Sequence, residues 1–265
     1  MLKDIKTIRK NLAEYKRWGF KINLIKYITS SKYRAGLFKR RGEYWKLKAK
    51  HVGYLMTENT PGAMFNEVLI DRIYDVGGGF KPKKDDIVVD IGAYYGDSAI
   101  WWAKEFKANV IAFEPLPEAY KELLENAKLN KVEDKIKAYN VALGNGSDIT
   151  GGKGKGTMFN YSSNEKTINT KKLDDFSFDR IDILKIDVEG FELEVLKGSE
   201  KTIKRLKPKI ILETHSRELR RECDDFLKKA GYQLKVEGRT VLSKQKGFDE
   251  ITNLFYDIDY SPTHK

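Results

Sequence analysis

Apolar residues along this chain follow two spacings, and the alternation between them predicts the fold. In residues 1–18, Leu2, Ile5, Ile8, Leu12, Tyr15 and Trp18 recur every three or four positions, one helical stripe with Lys3, Lys6, Lys10, Lys16 and Arg17 mostly off it. Gly19 interrupts the stripe, and Ile22, Leu24, Ile25, Tyr27 and Ile28 form a second segment. A short helix over Met64–Tyr74 and a Gly-rich turn come next. From there the pattern changes to short apolar runs: Ile87–Val89, Asn109–Phe113, Ile136–Val141, Ile181–Ile186 and Ile210–Leu212. Runs of this length, bounded by polar residues, predict strands buried on both faces. Helical spacing returns between them, in Ser98–Phe106, in Pro117–Leu129 with Leu123 and Leu124 inward, in Phe191–Leu206 with a break near Gly198, and in Arg217–Lys229 up to Gly231. Tyr232–Glu237 and Asn253–Tyr256 predict a closing β-hairpin. Strand and helix in alternation predict a doubly wound α/β sheet. Residues 144–170, rich in Gly, Ser, Thr, Asn and Lys, read as a loop over the strand ends with β-like patches at Met158–Tyr161 and Thr167–Asn169.

The first strand–turn–helix unit carries the most chemistry. It reads DDIVVDIGAYYGD from Asp85 to Asp97, with Gly92 and Gly96 bracketing the turn. A Cβ in such a turn would block close backbone approach to a ligand. A dinucleotide site would require G-x-G-x-x-G to seat a pyrophosphate. Here one glycine is lacking and an acid, Asp90, lies beside the turn. An unpaired carboxylate would repel a pyrophosphate and suit a ligand bearing an ammonium or sulfonium group. Glu114 closes the second strand, 24 positions past Asp90, where an acid accepts both hydroxyls of a ribose. Asn140 and Val141 close the third strand near where an adenine ring would lie. The combination favours S-adenosylmethionine over NAD.

Charge changes the picture at one end only. Of the net +11, residues 1–50 hold 16 basic and three acidic residues, a local balance of +13, and the remainder sums to −2. The cluster Lys39-Arg40-Arg41 with Lys46, Lys48 and Lys50 is interleaved with Phe38, Tyr44 and Trp45. Three readings stay open for this extension: a stripe packed on the domain with its lysines in solvent, an anchor on anionic lipid, or a holder of RNA. A single cysteine, Cys223, excludes an internal disulfide framework and sits in a helical pattern. No apolar stretch reaches the length of a membrane span, so a cytoplasmic chain, peripheral to the membrane at most, is the expectation. Abundant Lys and Glu resemble thermophile, archaeal-like usage.

Ligands of an open parallel sheet lie outside the carboxyl ends of its strands. Asp90, Glu114, Asn140, Asp187, Glu189, Glu213 and His215 all fall there. Asp187 and Glu189 are two apart and share a side of an extended segment, although they also suit the N-terminus of the following helix. Methyl transfer to a hydroxyl needs a proton acceptor. His215 is the first candidate, because an ordinary imidazole titrates near neutrality, and Asp187 and Glu189 follow. The ligand types of Asp187, Glu189, Glu213 and His215 suit a hard divalent ion, yet no spacing demands one and no metal site is assigned. An Asn-Pro-Pro-Tyr run after strand four is absent, which argues against exocyclic base amines as acceptors.

The segments VVDIGAYYGDSA, VIAFEPLPEAYKELLENAKLN, NVALGN, IDILKIDVEGFELEVLKG and KIILETH resemble the FkbM family of S-adenosylmethionine-dependent methyltransferases. The likeness runs from about Asn66 to His215, and IDVEGFELEVLKG is its most specific part. It implies a class I methyltransferase Rossmann-like fold: a seven-stranded, mostly parallel sheet with an antiparallel last strand and helices on both faces. It also implies O-methylation, often of a sugar or polyketide hydroxyl. The family's cofactor contacts carry over onto Asp90, Gly92, Ala93, Gly96, Ser98, Glu114 and Asp187; Tyr95, Pro115, Asn140 and Val141 complete the candidate set. The family's usual Asn after the motif Ala is Tyr94 here. The expected organisation is a basic helical extension over residues 1–50 and a methyltransferase domain over 51–265. The expected acceptor is a glycan or lipid-linked sugar hydroxyl, with RNA as the alternative and a non-catalytic binding module as a third reading.

Overall fold

The computed structural model describes residues 39–41, 44–48, 53–57, 68, 73–77, 79–150, 167–239 and 252–258. Seven strands form the central sheet: β1 (Ile87–Ile91), β2 (Asn109–Phe113), β3 (Ile136–Tyr139), β4 (Ile183–Ile186), β5 (Lys209–Thr214), β6 (Tyr232–Arg239) and β7 (Thr252–Ile258). Their order across the sheet is β6-β7-β5-β4-β1-β2-β3. Neighbours from β5 to β3 are parallel, and β7 runs antiparallel to both β5 and β6. The strand order reverses between β1 and β4, which opens a crevice at their carboxyl ends.

Residue parity along the strands separates two cores. Val88, Val110, Ala112, Ile183, Ile211 and Phe255 face α1 (Asp97–Trp101) and α2 (Pro117–Leu129). Val89, Ile91, Phe113, Leu184, Ile186, Ile210, Leu212 and Leu254 face α3 (Glu192–Gly198), α4 (Glu200–Leu206) and α5 (Arg217–Lys229). A strand with helices on both sides buries every side chain, which is why these runs are continuously apolar. Each fully buried large side chain contributes about 1.5–3 kcal/mol. Trp101 and Trp102 are both buried because α1 loosens into a π-helical turn over Trp102–Phe106 before Lys107 ends it at φ +61°. Cys223 is buried in α5.

Several expectations need correction. Leu124 is 41% exposed, and α2 turns Ala119, Leu123, Asn126 and Ala127 inward instead, following positions i, i+4, i+7 and i+8. Strand β3 ends at Tyr139, and Ala142–Leu143 pairs separately with Thr170–Lys171. Residues 39–41, 44–48 and 53–57 form a three-stranded antiparallel sheet, not helix, and it crosses the expected boundary at residue 50. The alternation Tyr44-Trp45-Lys46-Leu47-Lys48 is the two-residue period of a strand. Of the loop patches, Thr167–Ile168 pairs with Ile149–Thr150, whereas Met158–Tyr161 lies outside the described residues. So do the stripe of residues 1–18 and most of the helix expected over Met64–Tyr74. No helix among the described residues is long and apolar enough to cross a membrane.

Gly198 ends α3 where it meets the turn after Leu143. A Cβ there would lie 1.8 Å from the backbone oxygen of Gly144. Replacing an exposed helical glycine by alanine gains about 1 kcal/mol. Gly198→Ala reverses that sign and loses at least about 2 kcal/mol in urea unfolding, because backbone meets backbone and neither side can yield.

Candidate active site

The turn after β1 is built by hydrogen bonds to β2. Gly92 and Ala93 donate their N–H groups to the carbonyl of Phe113 at 3.0 and 3.1 Å, and Tyr94 N–H donates to Glu114 Oε2 at 2.8 Å. Gly92 sits at φ +77°, and a Cβ on it would lie 1.8 Å from the carbonyl oxygen of Asp187. Only glycine lets the ends of β1 and β4 approach this closely. Tyr94 also takes a left-handed conformation, at φ +46°, as does Glu189 at φ +56° on the facing loop. Such strain in non-glycine residues gathers at functional sites. Asn126 of α2 donates to Tyr95 O at 2.9 Å and holds the turn from behind.

Beneath this turn lies a buried lysine. Lys185 and Asp90 are register partners on β4 and β1 and therefore point to the same face. Lys185, 2% exposed, places its Nζ 3.0 Å from Asp90 Oδ1, 3.0 Å from the Gly92 carbonyl and 3.5 Å from Asp187 Oδ2. Ser98 donates its hydroxyl to Asp90 Oδ2 at 2.6 Å. Burial alone would strip the ammonium of its proton, but Asp90 and Asp187 raise its pKa well above the ordinary value. Asp90 is thus neither unpaired nor open to a ligand's positive charge; its oxygens belong to Lys185 and Ser98. The carboxylate expected to be unpaired is therefore paired, and Asp90 and Ser98 tie the turn to Lys185.

At the tip of β2, Glu114 is buried and tied to the chain at both oxygens, Oε2 by Tyr94 N–H and Oε1 by Leu116 N–H, each at 2.8 Å. Burial raises its pKa to about 7 against these two hydrogen bonds. A carboxylate offers about four acceptor positions, so two remain for the hydroxyls of a ribose. Asn140 spends its amide on the carbonyls of Glu114 and Pro115, at 2.8 and 3.0 Å. It shapes the β2 tip, and Val141 follows it half-buried. The turn, Glu114 and this edge fit the adenosine end of S-adenosylmethionine by donor set and by close backbone approach.

The second cluster lies at the carboxyl ends of β4 and β5. His215 Nδ1 is 2.8 Å from Glu192 Oε1, which also accepts the N–H of Gly190 at 2.9 Å. The other ring nitrogen, Nε2, is 3.5 Å from Glu189 Oε2, 3.7 Å from Glu213 Oε1 and 4.0 Å from Asp187 Oδ1. Burial of the imidazole would lower its pKa, but the bond to Glu192 and the charges of Glu192, Asp187 and Glu189 raise it to about 10. An imidazole so held is charged at neutral pH and has no lone pair to accept a proton. The expected role of His215 as the general base therefore does not follow from this environment. The sequence does bring Asp187, Glu189 and His215 together, with Glu213 beside them.

Three contributors were missed from sequence: Lys185, Glu192 and Asp97. A lysine inside the otherwise apolar run IDILKI was the available signal for the first. Glu192 carried no signal of its own within the run FELEVLKG, and only the fold reveals His215 beside it. Asp97, at the start of α1, is buried, which pushes its carboxyl up to about 7 against the pull of Lys185.

A Rossmann-like sheet with β7 antiparallel, a glycine turn backed by an acid on β2, and an acid cluster at the neighbouring crevice define the methyltransferase class of this fold. Residues 90–234 match the Methyltransferase FkbM domain, and the chain belongs to the FkbM methyltransferase family. It is an enzyme, and the family's methyl donor is S-adenosylmethionine. The chain is 24% identical to methyltransferase sdnD of Sordaria araneosa over 193 residues, 57% of this chain and 73% of that one. It is 29% identical to the hexuronic acid methyltransferase AglP of Haloferax volcanii over 191 residues, 67% of this chain and 70% of the relative. The crystal structure of an FkbM methyltransferase from Methylobacillus flagellatus shares the fold, with a TM-score of 0.52 at 17% identity. That match covers 95% of this chain and spans 59% of the other.

Removing the buried ammonium tests the centre of the site. Lys185→Met leaves the buried carboxyl of Asp90 without its cation and costs about 3–5 kcal/mol in urea unfolding. Adding Asp90→Leu to that variant restores most of the loss, because the fully buried carboxyl that faced the ammonium is then gone.

Proposed function

We propose that this chain is an S-adenosylmethionine-dependent O-methyltransferase acting on a hydroxyl of a glycan or lipid-linked sugar. The observation that carries the reading is the convergence of Asp187, Glu189 and Glu213 on His215 Nε2, directly beside the Gly92–Asp187 contact. The hexuronic acid methyltransferase among the relatives supports a sugar acceptor.

In this reading the backbone of Gly92, Ala93, Tyr95 and Gly96 borders the donor, Glu114 accepts from its ribose, and Pro115, Asn140 and Val141 line the adenine side. S-adenosylmethionine supplies a methyl group on positively charged sulfur; as the acceptor oxygen bonds to that carbon, the carbon–sulfur bond breaks and sulfur keeps the electron pair. Glu189 takes the hydroxyl proton. Of the three acids around Nε2 its side chain is the most exposed, at 31% against 22% for Asp187 and 11% for Glu213, so it can pass the proton on to water. His215, anchored by Glu192, holds the three acids at one point. Their negative potential also favours a sulfonium nearby.

A second reading, an RNA acceptor, is favoured by the +13 balance of residues 1–50. Phosphate binding through that extension would weaken steeply with salt. Incubating the full chain with methyl-labelled donor and separate pools of oligosaccharide and RNA separates the two. Label on uronic-acid-containing glycans supports the sugar reading. Label on RNA alone, lost with rising salt or on deleting residues 1–50, overturns it.

The Glu114 assignment makes a pH prediction. A carboxylate accepts from ribose hydroxyls better than a carboxylic acid does, and this group titrates near pH 7 before ligand binds. Affinity for S-adenosylhomocysteine, measured by calorimetry, therefore falls as pH drops below about 7. Glu114→Gln lowers affinity about tenfold at pH 8 and removes the pH dependence. A wild-type affinity that stays level from pH 8 to 6 contradicts the assignment.

A further inference from the structure

The arrangement around His215 leaves one ring nitrogen unexplained. Glu192 sits fully buried, and its Oε1 can only accept, so the ring hydrogen is fixed on Nδ1. With Nδ1–H directed at Glu192, Nε2 is the ring atom that faces the carboxylates of Asp187, Glu189 and Glu213. His215 is nine-tenths buried, and Nε2 makes no hydrogen bond at all. Three carboxylates gathered at one ring nitrogen call for a positive charge between them, either a proton on Nε2 or a cation that displaces it.

We infer that Asp187, Glu213 and His215 form a site for a divalent cation of the Mn²⁺ or Mg²⁺ type. One donor atom from each lies within 4.8 Å of the other two. Ligand lengths of about 2.0–2.2 Å require donors about 3–4 Å apart. Nε2 stands 3.7 Å from Glu213 and 4.0 Å from Asp187, so small side-chain rotations complete the set. The outer support is also in place. Glu192 orients the imidazole through Nδ1, the usual partner of a metal-bound histidine. Lys185 holds Asp187 Oδ2 at 3.5 Å and leaves Oδ1 toward Nε2. Two carboxylates and one imidazole suit a hard or borderline ion, and the absence of cysteine from the cluster disfavours soft ones.

The role of this ion rests on the methyl-transfer reading above. An acceptor hydroxyl bound to it loses its proton more readily, which eases transfer of that proton to Glu189. Oxygen then bonds to the methyl carbon while sulfur retains the electrons of the broken bond, as before.

The test uses the full chain, stripped with chelator and titrated with MnCl₂, with free Mn²⁺ followed by electron paramagnetic resonance. One Mn²⁺ per chain is expected, with affinity about tenfold or more weaker in Asp187→Asn and in Glu213→Gln. Pulsed measurements read the ligand without relying on variants: imidazole nitrogen coupling to Mn²⁺ is expected in the wild type. The chain has three histidines, and the coupling should persist in His51→Gln/His264→Gln and vanish in His215→Gln. No saturable uptake at millimolar Mn²⁺ overturns the site, as does bound Mn²⁺ without nitrogen coupling. S-adenosylhomocysteine binding by the stripped chain is measured in parallel. Binding without Mn²⁺ uptake overturns the cation alone, and Mn²⁺ uptake without that binding overturns the donor reading alone.

Discussion

A single ammonium group, buried where the sheet reverses its strand order, holds the carboxyl ends of β1 and β4 together. Lys185 ties β4 to β1 through Asp90, caps the carbonyl of Gly92 and steadies Asp187. Taking a lysine and an aspartate out of water is costly, and the pair survives because every charge has a partner. Ser98 supplies the remaining bond to Asp90 from the first turn of α1. Strand, glycine turn, helix and the opposite strand thus meet at one small polar centre, and both halves of the candidate active site are attached to it.

The register of the sheet then decides which residues meet. On β1, β4, β5 and β7 the positions facing α1 and α2 are Val88, Ile183, Ile211 and Phe255 in the apolar interior. Two residues further along on each of β1 and β4, the same face carries Asp90 and Lys185. On β5 the continuation is Glu213, paired in register with Asn253 of β7. One face therefore changes from apolar to ionic within a single strand step. Past the strand ends, Asp187, Glu189 and His215 extend the polar face outward. The opposite face stays apolar to the end, with Ile91, Ile186 and Leu212 packed on α3 to α5. Chemistry is confined to one side of the crevice by the two-residue period of extended chain.

Much of this was legible in the sequence, because a doubly covered parallel sheet prints itself as short β-branched runs. Strand β2 and helices α2 and α5 match their expected bounds, and Gly92 and Gly96 both take the left-handed conformation the turn requires. What was not legible depended on partners distant in the chain. Asp90 looked open to a ligand because Lys185, 95 positions later, is invisible as its partner until strands pair. His215 looked like a neutral base because three of the four acids around it, Asp187, Glu189 and Glu192, come from a segment that precedes it by 23 to 28 positions. Leu124 looked inward because a run of two leucines does not say which one faces the sheet. The basic stretch before residue 50 looked helical throughout, and the two-residue alternation of Tyr44–Lys48 was overridden by its charge.

The central claim is that the turn after β1 and the acid cluster after β4 are two halves of one site, meeting at Gly92 and Asp187. A crystal structure with S-adenosylhomocysteine bound tests it most directly. The claim predicts both ribose hydroxyls within about 2.6–3.2 Å of the Glu114 carboxylate and the sulfur directed toward Asp187, Glu189 and His215. A nucleoside bound elsewhere on the sheet, or a sulfur pointing away from that cluster, would contradict it.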